Sequence, residues 1–132
     1  MEIEIMKEPF VRVTCDPERL IGKVTWNGSP TPEQYKSAFL ALLDYSKKVK
    51  MTRFLSDTRN QGIVNPENRK WFEKEMVPSA IKAGLKRAAV ITNGNAFKRY
   101  YLNMILAAVN KMNVPFKIFS EEQEAIDFLM KE

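Results

Sequence analysis

The chain has no histidine, and its 132 residues hold one cysteine, Cys15. The first absence removes the usual base of a nucleophile triad and the commonest neutral metal ligand. The second leaves no internal disulfide to form, which fits a reducing compartment. Cys15 ends the apolar stretch that starts at Val11 and reads as a buried, inert thiol, because reactive cysteines need electropositive, partly exposed surroundings. Glycine is scarce: the chain has five, and Asn93-Gly94-Asn95 offers one where a dinucleotide-binding loop would need three. No apolar run is long enough to span a bilayer, and the Met1–Lys7 segment lacks the basic start of an export signal, so the cytoplasm is the expected location. A phosphoacceptor receiver would need an acidic pair after its first strand, and only Asp16 is near. No metal-ligand cluster is apparent. Asp57 and the tyrosines have no spaced partner for acid–base work, so neither catalysis nor a cofactor is expected.

What is present describes an ordinary globular domain. Hydrophobic residues make up 45% and charged residues 28%, and residues 1–132 read as one domain able to bury a real core. The net charge is +5, but its placement argues against nucleic acid. Lys47, Lys48, Lys50 and Arg53 fall at or after the end of the first helix; Lys82, Lys86 and Arg87 follow the second, and Lys111 ends the third. Glu33, Glu67, Glu121 and Glu122 lie in first turns. Such an arrangement complements helix dipoles rather than a phosphate backbone.

Short apolar strands alternate with helices. Strands are expected at residues 10–15, 20–26, 53–56, 87–92 and 116–119, with Ile3 and Ile5 adding a short edge segment. Thr31, Pro32 and Gln34 supply an N-cap, a first-turn proline and a capping-box partner for the first helix, whose apolar stripe includes Tyr35, Phe39 and Leu42. Asn65-Pro66 starts the second helical region, which Pro78 should divide and Gly84 should close. Ser120 with Gln123 should cap the last helix. The order β-β-α-β-α-β-α-β-α specifies an α/β fold with about five strands in a mixed, mostly parallel sheet, and places any site at the strand exits.

That order is also the order of STAS domains, and the residues resemble the small bacterial SpoIIAA-like proteins of STAS/CRAL-TRIO type. The resemblance is carried by Trp26 followed by Thr31-Pro-Glu-Gln-Tyr35, by Phe54-Leu-Ser-Asp57-Thr-Arg59, and by Asn65-Pro-Glu-Asn68 with Trp71. It continues through Pro78 to Gly84-Leu-Lys-Arg-Ala-Ala-Val90 and the Glu-Ala-Ile-Asp-Phe-Leu129 ending, so it spans nearly the whole chain. It implies the SpoIIAA-like fold. In anti-anti-sigma factors of this kind a phosphorylatable Ser or Thr follows an Asp at the third strand's exit. Asp57-Thr58 occupies the comparable place, but Arg59-Asn-Gln follows in place of small residues and glycine.

Six residues stand out as candidates for ligand or partner binding. Asp57, Thr58 and Arg59 leave a strand where open sheets place ligands, or else bond neighbouring amides to shape a loop. Lys98 and Arg99 sit in a helix's first turn, where cations oppose the dipole; with Arg59 they would hold a carboxylate or phosphate, or else remain solvated. Trp71 borders the core stripe of Phe72, Met76 and Ala80 and either packs there or lines a pocket. The third main helix carries Phe97, Tyr101, Met104, Ala108 and Met112 on one face, with Leu102, Leu106 and Val109 widening the arc. Either a neighbouring helix or a second subunit of a homodimer must cover Leu102 and Leu106. Two functions fit these features. One is a regulatory protein-interaction module using the Asp57–Arg59 edge and the surface near Trp71. The other is a carrier of a small apolar or amphipathic ligand, with Arg59 or Lys98 on its head group. An enclosed apolar cavity would favour the carrier, and a flat exposed patch the interaction module.

Overall fold

The computed structural model describes residues 2–62, 64–93 and 96–131, without the side chains of Ala96 and Phe97. Six strands form one sheet in sequential order: β1 (Ile3–Glu8), β2 (Val11–Asp16), β3 (Ile21–Gly28), β4 (Arg53–Gln61), β5 (Arg87–Ile91) and β6 (Phe116–Phe119). β1, β2 and β3 pair antiparallel; β3 through β6 pair parallel. The expected edge segment around Ile3 and Ile5 is thus a sixth, six-residue strand.

The helices are α1 (Pro32–Tyr45), α2 (Pro66–Trp71), α3 (Val77–Lys82), α4 (Ala96–Lys111) and α5 (Glu122–Leu129). Because the parallel strands advance one place at a time in one direction, right-handed crossovers must put α1, α2–α3 and α4 on the same face. A core of Val13, Val24, Trp26, Phe39, Phe72 and Ile105, among others, lies under them. α5 follows the last strand and covers the opposite face, over Leu55, Ala89 and Ile91. Among the described residues no helix is long and apolar enough to cross a membrane.

Local chemistry explains most boundaries. Thr31 accepts from the Gln34 amide at 3.2 Å and Gln34 Oε1 accepts from the Thr31 amide at 3.0 Å, closing the capping box that the sequence signals. Asn65 Oδ1 likewise accepts from the Glu67 amide, at 2.8 Å. Gly84 follows α3 at φ +114, a conformation that favours glycine.

Other expectations change. Pro78 does not divide the second helical region: α2 runs into a π-helical segment, Phe72–Met76, and on into α3, with the Val77 amide donating to the Phe72 carbonyl. Pro78 then falls directly after the π-helical segment, in the first turn of α3. The α5 N-cap is Glu121 with no side-chain cap, and Gln123 instead donates to Asp127 at 2.9 Å. Strand β4 continues five residues past Ser56, because β3 extends to Gly28 and offers partners. A register shift between Thr25 and Asn27 absorbs one extra residue of β4 there.

The face of α4 also differs from expectation. Leu102, Ile105 and Val109 are buried, whereas Met104 is 38% exposed. The chain's own core covers Leu102, so its burial needs no second subunit. The side chain of Phe97 lies outside the described residues, as does the Gly94-Asn95 part of the turn before α4. Cys15 is 1% exposed, and desolvation by burial, with Asp16 nearby, raises its thiol pKa. That is the inert state expected of it.

Candidate functional site

Asp57, Thr58 and Arg59 are not in an exit loop; they lie inside β4 and alternate between its two faces. Asp57 points to the α5 side. Its carboxylate accepts from Arg59 Nε at 3.0 Å, Arg59 Nη2 at 2.7 Å and the Arg59 amide at 3.1 Å. Glu122 Oε1 stands 3.7 Å from the same guanidinium and accepts from Lys23 Nζ at 3.2 Å. Burial alone would raise the Asp57 pKa, but the hydrogen bonds and charge of Arg59, helped by Lys23, outweigh it and hold the carboxyl below its usual range. Asp57 in turn raises Arg59.

This pair has a pH signature. A carboxyl depressed in the folded state stabilises fully above the ordinary carboxylate range and loses that contribution as pH falls through its folded value. Asp57→Asn should therefore cost about 1 kcal/mol at neutral pH, modest because the Arg59 side chain is 41% exposed and screened. Chemical denaturation at pH 7 and below pH 3 checks this: the variant's deficit should shrink in acid, and a constant deficit would show that the ion pair is not its source.

Thr58 points to the other face. It is 4% exposed, and its hydroxyl donates to the Ile91 carbonyl at 2.8 Å, so it is not presented to solvent as a phosphorylation site would be. Lys98 reaches the same strand from α4: its ammonium donates to the carbonyls of Thr58 at 3.0 Å and Arg59 at 3.5 Å, and Asn93 Nδ2 donates to Arg59 O at 2.9 Å. These contacts tie the start of α4 to the end of β4 and explain a cation in a first turn. Arg99 is exposed. Trp71 is half-buried, its ring centroid 6.2 Å from Tyr35 and 6.0 Å from Phe39. The structure thus brings Arg59 to Asp57 and Glu122, ties Lys98 to the backbone, and leaves Trp71 on the opposite side of the sheet from the Arg59 guanidinium.

A concave feature of the α1–α4 face is an apolar cleft between α1 and the π–α3 segment, with a cavity volume of about 60 Å³. Leu42, Met51, Val77, Ala80, Leu85 and Ala88 line its outer part, over the start of the parallel strands. The outer part lacks filling because small residues converge on it: Ala80 from α3, Ala83 just after it and Ala88 from β5. Lys47, Lys48, Lys50, Lys82 and Lys86, next to or near lining residues in the chain, are exposed. The last turn of α1 holds no basic residue; Lys47, Lys48 and Lys50 follow its C-cap, Ser46.

Farther along the strands lies a second, smaller space of about 30 Å³, room for roughly two water molecules. Phe39, Phe54, Phe72 and Phe116 line both spaces and form the partition between them. The inner space adds polar side chains: Tyr35, Ser56, Thr58, Gln61 and Tyr101. Thr92 Oγ1 and both polar atoms of Asn68 are buried without a hydrogen-bond partner. Burial, then the proximity of Tyr101, raises Tyr35 well above its ordinary pKa; burial likewise raises Tyr101, so both phenols stay protonated. Neither phenol stood out in the sequence, where Tyr35 read as core stripe and Tyr101 as helix face. The legible signal was the alanines spaced along α3 and β5, residues that leave room.

Among the described residues no group of three acidic, cysteine or histidine side chains could hold a metal. No curated protein matches the chain. An uncharacterized protein of Shewanella loihica PV-4, whose crystal structure is described as having a SpoIIAA-like fold, superposes with a TM-score of 0.60 at 15% identity, over 94% of this chain and 97% of that one. That identity speaks to fold alone. The sequence itself carries the stronger statement, because the family model described as SpoIIAA-like matches residues 21–130, from the start of β3 to the end of α5. By that match this chain belongs to the SpoIIAA-like family.

Proposed function

We propose that the protein is a cytoplasmic, non-catalytic carrier of a small apolar or amphipathic ligand, held in the cleft between α1 and the π–α3 segment. The observation that carries this reading is the cleft itself, open at the surface and walled almost entirely by apolar side chains, with Ser46 and Arg53 the polar exceptions. A protein-interaction module would be better served by one contiguous apolar patch. The exposed large apolar side chains among the described residues are Leu40, Tyr100, Met104 and Met130, spread over α1, α4 and the end of α5. Arg59 has no part in the carrier reading, since its guanidinium lies across the sheet against Asp57 and Glu122.

Native mass spectrometry of gently purified protein tests the reading: a noncovalent adduct of a few hundred daltons is expected. Titration with a neutral fluorescent probe such as Nile red gives the quantitative form. Ala80→Phe places a ring in the cleft and should weaken the probe at least about tenfold, or ~1.4 kcal/mol. Arg59→Ala should leave probe affinity within about twofold, since additivity holds for distant sites. Equal binding by the wild type and Ala80→Phe would move the ligand out of this cleft.

A further inference from the structure

We propose that one end of the molecule, the edge where the parallel strands begin, docks on an anionic phospholipid bilayer. The docking surface goes beyond the carrier reading and does not depend on it.

The fold gathers this surface from separate segments. The Thr52 amide donates to the Leu20 carbonyl, the Lys86 amide to the Thr52 carbonyl and the Ala88 amide to the Pro115 carbonyl. The segments that enter β3, β4, β5 and β6 therefore lie side by side at one edge of the sheet. Arg53 Nε donates to the Leu129 carbonyl at 2.7 Å, which brings the end of α5 to the same edge. Residues 17–20, 46–53, 82–87, 111–115 and 130–131 make up this end. They hold ten of the chain's 21 Lys and Arg but only one, Glu18, of its 16 Asp and Glu. The +5 net charge thus sits here, and the remainder of the chain is net acidic.

Arg53 and Arg87 bend onto carbonyls of α5, and the other cations of this end are exposed. Arg19 shares its charge with Asp16 at 3.8 Å and Lys47 with Asp44 at 3.7 Å. The C-termini of α1, α3, α4 and α5 also meet this end, each presenting about half a negative charge. Four such ends offset about two cations, so helix dipoles account for only part of the cluster. Apolar side chains stand among the lysines. Met51 follows Lys50, Leu85 precedes Lys86 and both line the cleft, while Met130, beside Lys131, is 40% exposed. No aromatic residue lies in these segments to stack on nucleic-acid bases. Clustered cations with aliphatic tips suit an anionic bilayer, where each nearby Lys is worth about fivefold in affinity and the apolar tips enter the acyl boundary.

Cosedimentation with vesicles tests the surface. Vesicles of equal parts phosphatidylglycerol and phosphatidylcholine should bind the wild type, more weakly as salt rises, and pure phosphatidylcholine should not. Lys48→Ala, Lys50→Ala and Lys86→Ala combined should weaken binding by about a hundredfold. Lys7→Ala, Lys70→Ala and Arg99→Ala remove the same charge from exposed positions outside this end and should weaken it less than about threefold. No binding to the mixed vesicles, or equal weakening by both triple variants, would overturn the proposal. Binding to a mixed-sequence DNA duplex without binding to vesicles would also overturn it and give the surface to nucleic acid. Nile red titrated without vesicles keeps the two readings apart. If Nile red binds and vesicles do not, the docking surface alone fails; if vesicles bind and Nile red does not, the carrier reading alone fails.

Discussion

Phe39→Ala is expected to lower the unfolding free energy by about 3–5 kcal/mol, the largest loss foreseen for any single substitution considered for this chain. Phe39 is 2% exposed and stands at the centre of an aromatic cluster. Its ring centroid lies 5.0 Å from Tyr35, 5.1 Å from Phe72, 5.6 Å from Trp26, 5.8 Å from Phe54 and 6.0 Å from Trp71. Those rings come from α1, α2, the π-helical segment, β3 and β4, so removing Phe39 loosens several elements at once. The void left behind would open into both existing spaces, and a residual cavity adds roughly 24 cal/mol for each Å³ that does not collapse. Urea unfolding with a shared m-value measures the change. A loss under about 1.5 kcal/mol would mean that the cluster re-closes over the gap, contrary to a rigid partition between the spaces.

Asn68→Leu is expected to act in the opposite direction and raise stability by about 1–3 kcal/mol. Asn68 is 0% exposed, and neither its amide nitrogen nor its amide oxygen has a hydrogen-bond partner. Asparagine there forfeits hydration at both atoms and gains nothing in exchange, while leucine has similar length and no polar atom to desolvate. Leucine is also the better helix former, so the position within α2 favours the change as well. Thermal unfolding should show a midpoint several degrees higher in the ligand-free protein. A lower midpoint would mean that the unliganded protein does satisfy Asn68, for instance through an enclosed water.

The sequence made the local decisions visible. Thr31, Pro32 and Gln34 announce α1 because a capping box needs only neighbours in the chain, and the same is true of Asn65 before Pro66. The strands at residues 53–56, 87–92 and 116–119 were legible as short apolar runs between turn signals. The end of β4 was not, since it is set by hydrogen bonds to β3, 33 positions away at Asn27 and Asn60. The face of α4 was illegible for a different reason: apolar residues surround most of that helix, so periodicity could not choose between the arc of Met104 and the arc of Ile105, and the sheet decided. Arg59 and Lys98 looked like ligand-binding cations because a sequence does not display the carboxylate or carbonyls that engage them. A cleft is harder still, being the place where side chains from separate elements fail to meet.

The π-helical segment gives that cleft an unusual dependence on counting. An α-helix that takes in one more residue while its two ends stay anchored must carry the surplus as a wider turn, and the Val77-to-Phe72 bond is that turn. The wall of the cleft is thus set by how many residues stand between Asn65 and Gly84 as well as by which ones they are. Deleting one residue from positions 73–75 would let the wall relax to a regular, narrower helix while its anchored ends keep nearly the same faces. Family members that differ by one residue in this stretch should then differ in the bore of the cleft even where their side chains agree, and gap length becomes a readable specificity trait.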